Sequence, residues 1–200
     1  LGLLDNTLIV LTADHGEGLG EHNVYYDHHG LYEWDVKVPL IIRLPDKLTD
    51  EIGRSRARGV KYNALVQNTD ITPTILDTLG IKIPEGIMGR SLLGLMRGEW
   101  NGYDYVIFVE NTRQTKRGIR SGRWKLIQTI RPDTYGNPAG HIELYDLEKD
   151  PKEARNIAGE DEDTALRLLG MLERQYRIML NGKGDPLIEQ EISVPIGGRF

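Results

Sequence analysis

Cysteine is absent from all 200 residues, which excludes disulfides, thiolate zinc sites, iron–sulfur ligation and thiol nucleophiles. Long apolar runs are also missing. The longest are the short stretches 8–11 and 39–42, far below the ~20 residues of a membrane-crossing helix, so no membrane span is expected. Positive charge is not in excess either: 25 Lys and Arg stand against 30 Asp and Glu, a formal charge of −5. The chain as a whole therefore has no attraction for nucleic acid or anionic lipid. Aromatic residues make up only 7%, and Trp124 beside Lys125 does not supply the row of stacking rings along a basic groove that single-stranded nucleic acid requires.

What is present is enough for a folded chain. A hydrophobic share of 39% with 28% charged residues is a globular composition rather than a disordered one. A chain of this length buries roughly 70% of its unfolded surface without covalent staples. The sequence opens Leu1-Gly2-Leu3-Leu4-Asp5 without a methionine and enters a strand-like run almost at once, which reads as a chain cut from a longer parent, with any targeting segment upstream.

Thr7-Leu8-Ile9-Val10-Leu11-Thr12 and Val38-Pro39-Leu40-Ile41-Ile42 are short, continuously apolar runs, the pattern of parallel strands buried on both faces. Val106-Ile107-Phe108-Val109 is a third. Pro39, lacking an N–H, belongs at the start of its strand. Between the second and third runs, Ile71, Ile75, Leu76 and Leu79 recur at helical spacing, with Asp70 or Thr72 as cap and Gly80 as stop. Residues 91–97 form a second short helix closed by Gly98. Strands alternating with helices predict an α/β layer.

Beyond Glu110 the pattern changes. A hairpin turning at Ser121-Gly122 and a further strand over 141–146 predict a small antiparallel sheet, with Trp124, Leu126 and Gln128 on one face and Lys125, Ile127 and Thr129 on the other. A helix over 163–181, striped by Leu166, Leu169, Leu172, Tyr176 and Leu180, should cover that sheet. The expected domains are 1–104 (the α/β part), 105–184 (antiparallel sheet and long helix) and 185–200 (irregular tail).

Four of the five histidines fall within residues 15–29. Thr12-Ala13-Asp14-His15-Gly16-Glu17-Gly18-Leu19-Gly20-Glu21-His22 follows the first strand directly, so Asp14 and His15 emerge at its carboxyl end, where open α/β sheets place ligands. A carboxylate beside an imidazole suits a divalent cation. An ordinary turn cap with a surface imidazole accounts for the pair equally well. Neither GxGxxG nor a Walker pattern is present, so this glycine-rich loop is no phosphate cradle.

These residues, followed by Asp27-His28-His29-Gly30-Leu31-Tyr32-Glu33 and Val38-Pro39-Leu40-Ile41-Ile42-Arg43, closely resemble the carboxyl-terminal half of the sulfatases, in the alkaline phosphatase superfamily. Asp70-Ile71-Thr72-Pro73-Thr74, Gly89-Arg90-Ser91-Leu92, Ile119-Arg120-Ser121-Gly122-Arg123-Trp124-Lys125-Leu126-Ile127 and Glu143-Leu144-Tyr145-Asp146-Leu147-Glu148-Lys149-Asp150-Pro151 agree in the same order. The resemblance implies a partial alkaline-phosphatase-like sheet with helices, followed by the small antiparallel sheet. It implies a metal-dependent hydrolase of sulfate esters, acting on a sulfated sugar or an aryl sulfate.

By the same resemblance, Asp14 and His15 supply two ligands of a divalent metal, calcium in most sulfatases. His29 or His28 stands near the sulfate as donor or general acid, and His22 is a weaker candidate. Apart from the resemblance, the basic stretch 111–132 offers Arg113, Arg117 or Arg120 to lean over the cleft and select an anionic substrate. Glu33 is a candidate partner for a catalytic histidine. Many sulfatases place a lysine shortly after a His-Gly pair; here His29-Gly30 is followed by Leu31, which keeps phosphodiester or phosphonate monoester hydrolysis, or phospho-transfer, open as an alternative.

The family's formylglycine nucleophile is made from Cys or Ser in a Cys/Ser-x-Pro-x-Arg motif near the amino terminus. No cysteine is present, and Ser193-Val194-Pro195-Ile196-Gly197 lacks the Arg. The implied partner is thus the missing amino-terminal half of the same enzyme, without which the chain should not turn over. A non-catalytic module binding glycan or protein through its basic hairpin is the alternative from another class. The seven Lys and Arg of 111–132 have a plainer explanation as well, in balancing the nine acids of 143–163.

Overall fold

The computed structural model describes residues 1–189. In chain order the strands are β1 (Ile9–Thr12), β2 (Gly18–Leu19), β3 (Tyr25–Asp27), β4 (Leu40–Arg43), β5 (Val106–Asn111), β6 (Thr115–Ser121), β7 (Trp124–Thr129) and β8 (Ile142–Asp146). The α-helices are α1 (Glu33–Val36), α2 (Asp46–Ile52), α3 (Arg54–Ala57), α4 (Ile71–Thr78), α5 (Leu92–Arg97), α6 (Glu162–Leu180) and α7 (Pro186–Glu189). Among the described residues no helix is long and apolar enough to cross a membrane. The chain divides into two compact units, Leu1–Asp14 with Pro39–Asp104, and His15–Val38 with the residues from Tyr105 onward.

In the first unit β1 pairs with β4, Leu11 opposite Ile41 and Thr12 opposite Leu40. The pairing is antiparallel, a correction to the parallel strands expected of these runs. Full burial is not observed either: Leu11 is 52% and Ile41 61% exposed. A continuous apolar run carries no information on strand direction, and a two-stranded ladder leaves much of both faces open. Pro39 directly precedes β4, as its missing donor demands.

Helix α4 ends at Gly80, which takes φ +67. Ser91 caps α5 by accepting from the Leu93 N–H at 3.2 Å. Asp70 does not cap α4 through its side chain, contrary to expectation. It is fully buried, accepting from the N–H groups of Gln67 and Arg90, each at 2.8 Å, and from the Tyr103 hydroxyl at 2.7 Å. Three donors from separate segments satisfy a carboxylate that burial would otherwise penalise. Burial, reinforced by Asp70, pushes the Tyr103 hydroxyl up to about 12.

The second unit is built on the antiparallel sheet β5-β6-β7-β8. Ser121 pairs with Trp124 across the predicted turn, with Gly122 at φ +56. Ile119, Leu126 and Leu144 pack against Ala165, Leu168 and Leu172 of α6. On the opposite sheet face Ile127 and Tyr145 meet Leu31 and Tyr32. This sheet is thus covered on both sides, which explains why 106–109 reads as a doubly buried strand although β5 is an antiparallel edge. Ile107 joins the helix-side core and Phe108 the other.

Helix α6 begins behind Asp161, whose side chain accepts from Thr164 N–H at 3.1 Å, and ends at left-handed Asn181. Its buried face is Ala165, Leu168, Leu172 and Tyr176. Leu166, expected in the stripe, is 66% exposed; with the small Ala165 facing the sheet, the contact face is set one residue earlier. The tail from 185 begins with α7; residues 190–200, including the Ser193-x-Pro195 string, lie outside the described residues.

Candidate functional site

Asp14 follows β1 and closes the segment of the first unit, where its carbonyl accepts from Asn68 Nδ2 at 3.4 Å. His15 opens the segment of the second unit. There the backbone of Gly16 lies hard against α1. Its N–H donates to the Asp35 carbonyl at 2.7 Å, and a Cβ on Gly16 would stand 1.8 Å from the Trp34 carbonyl oxygen. Gly18 is similarly tight against the Trp34 ring, at 2.9 Å. Gly16 and Gly18 therefore serve close packing on Trp34 and Asp35.

The short β2–β3 ladder, with Gly18 opposite Asp27, returns the chain so that His28 reaches His15. Their rings stack with centroids 4.0 Å apart and planes 22° apart. His15 Nδ1 is 2.7 Å from the Gly16 carbonyl, so in the neutral ring Nδ1 carries the proton and Nε2 is the acceptor nitrogen. Glu17 Oε2 stands 3.6 Å from His28 Nδ1. One ligand atom from each of His15, Glu17 and His28 lies within 4.8 Å of the other two.

His29 turns inward, its Nδ1 3.0 Å from Asp27 Oδ1, while Arg113 Nη1 holds the other Asp27 oxygen at 2.5 Å. Burial pulls the His29 imidazole below its ordinary value, against the opposing pull of Asp27 and Glu110. Gly30 N–H donates to Glu110 Oε2 at 3.2 Å. The turns require unusual backbone: His22, Asn23, Tyr26 and Leu31 all take left-handed φ, a concentration of strain of the kind found at functional sites.

His22 lies apart from that trio, its ring flat on Tyr32 at 3.6 Å. Burial lowers its affinity for a proton, with Glu143 opposing. Glu33 does not hold a histidine among its hydrogen bonds and ion pairs. It accepts from Arg120 Nη1 at 2.9 Å and pairs with buried Lys125 at 3.3 Å. Arg117 is on the helix face of the sheet, bonded to Gln128 at 2.8 Å and over the Tyr176 ring at 5.1 Å, and is not brought to the histidines.

The basic strands are balanced by acids. Lys116 pairs with Asp133 at 3.1 Å and Glu143 at 3.4 Å, Lys125 with Glu153 at 2.9 Å, and Arg123 with Asp146 at 3.6 Å.

Sequence reasoning did not single out Glu17, Asp27 or Asp35. The first two stand within two residues of histidines, which is a usable signal. Asp35 has no such mark: it matters because it is buried, with Oδ1 lacking any hydrogen-bond partner. Burial first, then Glu110, pushes its carboxyl up to about 6 against the pull of His15 and His28.

Calcium asks for six to eight oxygens, whereas the ligand atoms gathered in the second unit are two imidazoles and one carboxylate. Asp14 offers the hard oxygen that calcium prefers, but the converging set by itself makes no calcium cage.

Residues 20–177 match the family described as N-sulphoglucosamine sulphohydrolase, C-terminal. The chain is 33% identical over 192 residues to an N-acetylglucosamine-6-O-sulfatase of Bacteroides thetaiotaomicron, covering 88% of this chain and 32% of that protein. It is 32% identical over 176 residues to mouse (Mus musculus) arylsulfatase K, covering 80% and 28%. The chain thus spans about a third of the length of the curated relatives it matches. A solved sulfated-sugar complex, described as containing its substrate D-glucosamine-2-N,6-O-disulfate, superposes with a TM-score of 0.76 at 29% identity, over 94% of this chain and 37% of that one. The phosphonate monoester hydrolase of Agrobacterium radiobacter superposes with a TM-score of 0.66 at 27% identity, over 90% and 36%.

Proposed function

Since the chain belongs to the sulfatase family, as its N-sulphoglucosamine sulphohydrolase C-terminal part, we propose that it serves a parent enzyme that hydrolyses sulfate esters of sugars. The observation that carries this reading is the convergence of His15, His28 and His29 on one loop system directly after Asp14. Those are the residues the motif resemblance assigned to metal and sulfate.

In this reading Asp14 and His15 are two ligands of the parent's divalent cation, calcium, whose role when bound is to polarise sulfate oxygens. The remaining ligands and the formylglycine-forming Cys or Ser come from sequence outside these 200 residues. His29, its Nδ1 turned to Asp27, has a fixed orientation and a depressed proton affinity, suiting it to hold a proton only transiently beside the ester oxygen. His28, half-exposed and stacked on His15, is the alternative donor. Arg113, already drawn into this system through Asp27, and Arg120 with His22 supply the positive and hydrogen-bonding border for an anionic sugar.

Phosphonate monoester or phosphodiester hydrolysis is the second reading. It is favoured by Leu31 in place of a lysine after His29-Gly30 and by the likeness to the Agrobacterium enzyme. Turnover of an aryl sulfate against an aryl phosphodiester by the full-length parent separates the two. Asp14→Asn in that parent is expected to abolish turnover and metal retention, and near-normal turnover would refute the metal assignment. Metal-independent glycan binding by the 200-residue chain would instead support the non-catalytic module.

A further inference from the structure

We propose that Glu153 is a positioning residue for the histidine loop: from a turn 120 residues further along the chain it latches the start of α1, on which Gly16 and His15 are seated. The inference rests on the reading of that loop as part of the parent's hydrolytic site. It gives a task to the segment that follows Asp150-Pro151, to which the reaction itself assigns none.

The side chain is brought inward at a cost. Glu153 is 1% exposed and takes φ +56, a left-handed conformation that a β-carbon disfavours. Burial pushes its carboxyl above the ordinary value, with Lys125 the foremost charge opposing that rise. The turn is fastened on either side. Glu153 N–H donates to the Asp150 carbonyl at 3.1 Å, while Asn156 accepts from Leu144 N–H and donates to the Ile142 carbonyl, both at 3.0 Å. Glycine would suit this backbone better than glutamate, so what the turn delivers is the carboxylate.

That carboxylate meets a helix terminus. Its Oε2 accepts from Glu33 N–H at 2.6 Å, a first-turn donor that no carbonyl within the helix can satisfy, and Tyr32 provides no side-chain cap. Its Oε1 stands 2.9 Å from the fully buried Lys125 Nζ. The same ammonium is 3.3 Å from Glu33 Oε1, and Arg120 Nη1 is 2.9 Å from Glu33 Oε2. Main chain and side chain of Glu33 are thus both anchored, which fixes the place and the direction of the first turn of α1.

A helix of four residues has no stability of its own, so contacts of this kind decide where it lies. Within α1 the Asp35 carbonyl accepts from Gly16 N–H at 2.7 Å, and Gly16 has no room for a Cβ against the Trp34 carbonyl. The Gly16 carbonyl in turn meets His15 Nδ1 at 2.7 Å, and the His15 ring stacks on His28 at 4.0 Å. A displaced α1 carries both rings with it. Misplacement of reacting groups by about 1 Å costs about 100-fold in rate.

The test compares three variants. Glu153→Gly suits the left-handed backbone and removes the acceptor, Glu153→Gln keeps an acceptor oxygen, and Asn156→Ala frees the same turn from β8 rather than from α1. In proton NMR of the 200-residue chain, well below its unfolding temperature, Glu153→Gly should shift the His15 and His28 ring signals and Glu153→Gln should return them towards their original positions. Asn156→Ala should lower the unfolding temperature without moving them. In the full-length parent, kcat for an aryl sulfate should fall at least about tenfold in Glu153→Gly with KM little changed, and Glu153→Gln should recover most of that loss. Should Glu153→Gly unfold, Glu153→Asn, which tolerates the left-handed backbone but is too short to reach Glu33, takes its place. Unmoved histidine signals, signals moved equally by Asn156→Ala, or an unchanged kcat in an active parent each overturn the positioning role. A parent without sulfatase turnover, alongside shifted histidine signals in the Glu153→Gly chain, removes the sulfatase reading and leaves the latch in place.

Discussion

The hydroxyl of Tyr32 donates to Glu143 Oε2 across 2.8 Å, tying the histidine loop to the last strand of the sheet. Tyr145 donates to the same oxygen at 2.6 Å, and the other oxygen faces Lys116 Nζ at 3.4 Å. Burial, with Glu143 adding to it, pushes both phenols above their ordinary value, so they remain donors at any working pH. The face of Tyr32 then carries the His22 ring. A carboxylate in β8 thereby determines where a loop more than 100 residues earlier places its side chains.

Removing that carboxylate should be severe. Glu143→Ala leaves Lys116, 1% exposed, short of one acid and two tyrosines without an acceptor. Breaking such a buried pair costs about 3–5 kcal/mol. Urea unfolding of the chain measures it, and a loss under about 1 kcal/mol would show that solvent reaches the network.

Asp35 makes stability fall as the solution becomes less acid. Its folded carboxyl titrates near 6 rather than at the ordinary 3.8, so between these values the native state holds the proton that the unfolded state has lost. Stability therefore decreases as pH rises from 4 to 6 by about 2–3 kcal/mol from this group. In chelator-treated protein, Asp35→Asn should flatten that part of the pH–stability curve. An unchanged slope between the two proteins would remove Asp35 as its source.

His29 titrates in the opposite sense. Its folded proton affinity is depressed by burial, so the unfolded state binds protons first and this contribution to stability is lost as pH falls below about 6.5. Asp27→Asn deletes the neighbour that most favours the charged ring, and the titration point should drop further. Proton NMR of the ring follows it directly; a rise on mutation would mean that Arg113, released from Asp27, moves away and dominates.

Gly16→Ala tests the packing of the loop on α1. A methyl group 1.8 Å from the Trp34 carbonyl oxygen forces a backbone shift that costs about 1–3 kcal/mol and separates the His15 and His28 rings. Thermal unfolding and the ring-current shifts of the two histidines report both effects. Gly159→Ala, where nothing lies within 4 Å, is the control and should leave both unchanged.

Much of the second unit was legible in the residue order. Alternation in 124–129 assigned its two faces, Ser121-Gly122 located the hairpin, and the apolar period of 163–181 located α6 within a residue at each end. The site was legible as a region: the histidines cluster, and Asp14-His15 follow a strand. What each histidine touches was not. Arg117 and Arg120 look equivalent in the sequence, yet one meets α6 and the other Glu33, because three steps along a strand reverse the side chain.

Local order thus determined the elements, their caps and the membership of a motif, since those depend on neighbours a few residues away. Tertiary structure alone decided that β1 and β4 run antiparallel, that Asp70 draws donors from Arg90 and Tyr103 as well as from Gln67 in its own turn, that Gly30 and Glu33 bond to Glu110 and Glu153, and that Asp35 is buried with one carboxylate oxygen unbonded. Those outcomes depend on which groups lose water together, and partners 80 to 120 residues apart leave no periodic mark on the chain between them.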